Sequence, residues 1–93
     1  MTIIPNDNTS MLTPLGTLRG IIQCVHGGDD AFLYGSVSGE DGEWVLIEQF
    51  TGNELKEVAL PSYLLVSGAA NQTTALAAGT KVLLDPRLGR GKA

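Results

Sequence analysis

The chain reads as an all-β domain, a small closed or nearly closed barrel of five to six strands with one short helix near 71–78. Two observations predict it. Six runs rich in strand formers lie between 15 and 85, cut apart by glycine-bearing turns. Only one stretch between them has the composition and length for a helix, and a domain of 93 residues has room for a single modest core.

The runs fall at 15–25, 31–38, 44–51, 56–60, 63–67 and 81–85. Residues 1–13 read as an irregular lead-in, because Pro5, Asn6, Asp7, Asn8, Thr9 and Ser10 favour turns and solvent. The barrel domain occupies 14–86. His26 to Asp30 forms one turn cluster and Gly39 to Glu43 a second, so a three-stranded meander with two hairpins is expected over 15–51. Pro61 splits the next apolar stretch and predicts a bend or an edge there. Asn71 can cap a helix and Gly79 can end it, but two turns must lie against the barrel to persist. Residues 87–93, with Arg87, Arg90 and Lys92, read as a basic flexible tail.

Consecutive apolar residues carry a second message. Val45-Leu46-Ile47, Leu64-Leu65-Val66 and Val82-Leu83-Leu84 interrupt the inside–outside alternation of a half-buried strand. Such strands are covered on both faces. A small barrel has one interior, so either the lead-in and the short helix cover the outer faces or a neighbouring subunit does.

Charge weighs against one class of partner. Residues 1–85 hold ten acids against Arg19, Lys56 and Lys81. A nucleic-acid binder needs a basic face to displace counterions, and the barrel has none. Its few aromatics, Phe32 and Tyr34 among them, read as core or cross-strand packing. No apolar run approaches the ~20 residues needed to span a bilayer, and no signal-peptide pattern opens the chain. The single Cys24 cannot staple the fold and fits a reducing cytoplasm.

Candidate chemistry is sparse. Cys24 and His26 would share a strand face as a thiolate–imidazole pair does, without an orienting third group. Adding Asp29 and Asp30 gives a possible ligand set that lacks the second pair of a structural zinc site. Gly27-Gly28 is too short to cradle phosphate, Glu40, Asp41 and Glu43 crowd a solvated turn, and no serine has a nucleophile-elbow context. No catalytic residue, cofactor or metal is assigned, and the expectation is a non-catalytic module.

The two ends of the domain carry a resemblance. Thr13-Pro14-Leu15-Gly16-Thr17, followed by Leu-Arg-Gly-Ile-Ile, and Leu76 through Gly89 with Leu83-Leu84-Asp85-Pro86-Arg87, resemble the oligonucleotide/oligosaccharide-binding-type (OB) domain of proteasomal AAA+ ATPases. The region 54–75 is longer than that domain's loop and helix, and no Walker sequence or coiled-coil heptad is present. The resemblance implies a ring-forming oligomerisation domain, six copies around an opening that admits unfolded polypeptide, with an ATPase module as partner. On that basis Ile22, Val45 and Ile47 are candidate intersubunit contacts, and Gly27, Gly28 and Asp29 candidate ring-edge residues. Two other readings stay open: a small virion or phage structural protein whose arm 1–11 lies on a neighbour, and a nucleic-acid-binding OB or SH3-like module. Six strands are equally compatible with an OB barrel, an SH3-like barrel or a small sandwich.

Overall fold

In the computed structural model, which describes residues 2–5, 9–13, 17–71 and 73–88, the chain forms eight strands and no helix among the described residues. They are β1 (Thr2–Ile4), β2 (Met11–Leu12), β3 (Thr17–Val25), β4 (Ala31–Ser36), β5 (Val45–Phe50), β6 (Glu54–Ala59), β7 (Tyr63–Ser67) and β8 (Lys81–Leu88). The strands make two antiparallel four-stranded sheets, ordered β1-β8-β3-β6 and β2-β7-β4-β5. Every link except the 37–44 hairpin passes from one sheet to the other. The shortest extent of the molecule, 16 Å, fits two sheets stacked about 10 Å apart.

The core lies between the sheets and follows the period of two. On one side, Ile22 and Cys24 of β3 stand opposite Leu84 and Val82 of β8, and Val82 stands opposite Ile4 of β1. On the other, Ala31 and Leu33 of β4 alternate inward with Leu64 and Val66 of β7, and Phe50 closes the layer. These residues are fully or almost fully buried.

Four expectations are corrected. The barrel is not closed, because β5 and β6 are edge strands of different sheets and do not pair. The three-stranded meander is absent: β3 and β4 lie in different sheets, so the 26–30 turn is a crossover and not a hairpin. The short helix near 71–78 is not formed. Asn71 Oδ1 accepts from Thr73 N, Ser67 Oγ donates to Thr74 O, and Gly68 N bonds Thr74 O at 2.7 Å. These local bonds offer the backbone what a two-turn helix would, without its nucleation cost, and they seat Leu76 in the core. Finally, the lead-in contains β1 and β2, which extend the two sheets.

Toward the C-terminus β8 continues past Pro86 to Leu88. Proline is accommodated where β1 no longer flanks β8, whose pairing there is with Gly20 of β3 alone. Of the expected basic tail, 89–93 lies outside the described residues.

Candidate functional site: an open seam between the sheets

The chain leaves β5 at Phe50, turns through 51–53 and enters β6 at Glu54. From that turn the two edge strands diverge, and the seam between them has two halves. The half next to the turn is closed by Lys56. Its ammonium lies 3.0 Å from Glu48 Oε1 and 3.1 Å from Glu54 Oε1, donates to Gln49 O at 3.4 Å, and sits 5.4 Å from the centre of the Phe50 ring. A charged side chain turned inward at an edge blocks further strand pairing there. Glu54 also accepts from Thr51 N at 2.6 Å, and this bond, followed by that from Lys56, holds its carboxyl below the ordinary value of 4.5. Hydrogen bonds from Glu48 and then Glu54 push Lys56 above 10.5.

These shifts set a pH window. The contribution of Glu54 is complete above its ordinary value and is lost as pH falls through its lower folded value. That of Lys56 is complete below its ordinary value and is lost as pH rises through its higher folded one. Thermal melts are therefore expected to show Glu54→Gln flattening the acid side of the stability profile, and Lys56→Met flattening the alkaline side. Both effects should shrink in high salt, since the pairs are partly exposed.

The other half of the seam is an open groove of about 590 Å³. Val45 and Ile47 of β5 form one wall, Ala59, Leu60 and Pro61 the other, and Gly35 the floor. A Cβ on Gly35 would lie 2.5 Å from both Ile47 Cδ1 and Pro61 Cγ, so the missing side chain lets the two walls fold over the floor. Ile47 is the extra residue of a bulge: Leu46 pairs with Tyr34 and Glu48 with Leu33, which turns β5 at this point. Val37 and Glu43 stand at the mouth, Glu43 ending the 40–43 turn in which its N bonds Glu40 O and Gly42 takes a φ of +83°. Glu43 is tied back to Ser38 Oγ.

The three apolar triplets now separate. Leu65 and Leu83, the members facing away from the core, are 6% and 9% exposed, so the chain covers both from within itself. Only the β5 triplet stays open, with Val45 68% exposed into the groove and Leu46 44% exposed on the opposite face. Of the candidate contact residues, the structure brings Val45 and Ile47 together in the groove wall. Ile22 is fully buried in the core and offers no surface. Gly27, Gly28 and Asp29 lie at the other end of the molecule, in the crossover beside Asn53. There Gly27 N donates to Thr80 Oγ1 at 2.8 Å, and a Cβ on Gly27 would lie within 2.8 Å of the Gly79 and Thr80 backbone.

The weighed chemistry finds little geometry. Cys24 is 1% exposed, and burial, then Glu54 and Asp30, push its thiol above 9.0, opposite to the lowering that activates a nucleophile. His26 Nε2 stands 3.6 Å from Asp30 Oδ1 without a hydrogen bond. Among the described residues no three His, Cys, Asp or Glu side chains are placed to hold a metal ion. None of the described helices could cross a membrane, since there are none.

The sequence reading gave no site role to the groove's floor and second wall, Gly35, Ala59, Leu60 and Pro61. The signal available was Pro61, which marked an edge. Fold and site together define an all-β, two-sheet domain whose margin between β5 and β6 is open. No protein-family model, curated protein or solved structure matches the chain.

Proposed function

We propose that the chain is a non-catalytic assembly module that joins copies of itself through the β5 margin. One observation carries the reading: of three strands with consecutive apolar residues, β5 alone is left uncovered, and on both of its faces. Burying one exposed leucine or valine side chain is worth about 1.5–3 kcal/mol, and an uncovered apolar edge strand is a template for association. The stoichiometry in this proposal, six copies in a ring, comes from the resemblance at 13–22 and 76–89 alone.

Sedimentation velocity across micromolar concentrations tests it. The native chain is expected to associate, and Leu46→Asp to remain monomeric with an unchanged far-ultraviolet spectrum, because Leu46 points away from the core. A native chain that stays monomeric throughout, or a Leu46→Asp variant that associates as the native chain does, overturns the proposal.

A further inference from the structure

The groove lies on the inner side of β5, opposite Leu46, and its own chemistry points to a more specific occupant. We propose that it takes an extended segment of a partner polypeptide by strand addition, apolar at alternate positions and ending in a lysine or arginine beside the 40–43 turn. This rests on the reading of the β5 margin as a docking surface and names what enters it.

Three features support that occupant. First, among the described residues β5 and β6 each have one unpaired side, and both border the same gap. Lys56 occupies that gap near the turn by capping Gln49 O, whereas beside Val45 and Ala59 the charged side chain of the lining, Glu43, is held by Ser38 Oγ. An incoming strand meets the edge backbone in the open half, while Lys56 stands in its way and caps Gln49 O in the closed half, so its length is limited to a few residues. Second, the walls are Val45, Ile47, Leu60 and Pro61, and the volume of about 590 Å³ falls within the ~300–1,000 Å³ of clefts that hold ligands. A strand places every second side chain on one face, so alternate apolar residues meet this lining while the others face solvent. Third, Glu43 is the charged side chain of the groove's lining, at its mouth, within a domain whose acids far outnumber its bases; Asp41 of the same turn lines a separate pocket beside Trp44 and Leu65. This field favours a cationic residue at the segment's end and repels an anionic one.

The test uses the full chain carrying Leu46→Asp, so that self-association does not compete, and three capped synthetic peptides. The first has the sequence Thr-Val-Ser-Val-Lys; the second ends in Glu; the third is the first with alternate backbone nitrogens methylated. Titrations are followed by ¹⁵N–¹H spectra. The lysine peptide is expected to shift the amides of 45–47 and 58–60, with the 64–67 amides unmoved. The glutamate peptide should bind about ten-fold more weakly, as the loss of one favourable charge contact implies. The methylated peptide should not bind, because it cannot pair with an edge. No shift at 45–47 with the lysine peptide, or equal binding of the methylated one, overturns strand addition. Equal binding of the glutamate peptide overturns the charge assignment. A native chain that stays monomeric in sedimentation, together with peptide binding here, would remove the assembly reading and leave this one standing.

Discussion

Gly27→Ala is expected to lower stability by about 1–3 kcal/mol, toward the upper end of that range for overpacking. The new methyl group would sit 2.6 Å from Thr80 N and 2.8 Å from Gly79 O. Both are backbone atoms, so no side-chain rotation can relieve the clash. The crossover would have to lift away from 79–80 and give up the bond from Gly27 N to Thr80 Oγ1, a group that is nearly inaccessible. Urea unfolding measures the change directly. Gly52→Ala is the control: nothing lies within 4 Å of its Cβ position and its φ is not positive, so it should change stability little. If the two variants proved equally stable, the close approach of the two crossovers would not be a feature of the native fold.

Phe50→Ala is expected to cost more, about 3–5 kcal/mol. Phe50 is fully buried at the last position of β5, opposite Ala31, where the chain leaves one sheet for the other. Its ring fills the space between the sheets and carries the Lys56 ammonium on one side. Removing it leaves a cavity and loosens the closed half of the seam together. Against a total stability of about 5–15 kcal/mol for a domain of this size, the variant should be close to unfolding. Phe50→Leu, which keeps much of the volume, should retain the fold. A Phe50→Ala protein as stable as the native one would contradict the core described above.

The class was legible in the sequence because strand formers and turn residues act locally. The turn at Asp41-Gly42 and the strands around 31–36, 45–50 and 63–67 follow from such signals. Pairing was not legible. His26 to Asp30 has the composition of a hairpin turn, yet Asn53 and Thr80, distant in sequence, hold it as a crossover between sheets. Asn71 and Gly79 have the caps of a helix, but Ser67 and Thr74 supply competing bonds that composition does not reveal. Strands β1 and β2 are too short to show a period, and only their partners β8 and β7 define them.

The site divides in the same way. Consecutive apolar residues marked β5, β7 and β8 equally, since burial by an intrachain neighbour and burial by another molecule leave the same pattern. Three-dimensional placement separates them: Leu65 and Leu83 are covered, Val45 and Leu46 are not. Ile22 obeyed the alternation that places it inward, and the terminal resemblance gave no means of telling its inner face from an outer one.

Hydrogen–deuterium exchange of the native chain, followed residue by residue at low and high micromolar concentration, tests the β5 margin most directly. Protection of the 45–47 amides is predicted to rise with concentration, while the buried 64–67 amides stay unchanged and Leu46→Asp abolishes the rise. Exchange at 45–47 that is identical at every concentration would contradict an assembly surface on β5.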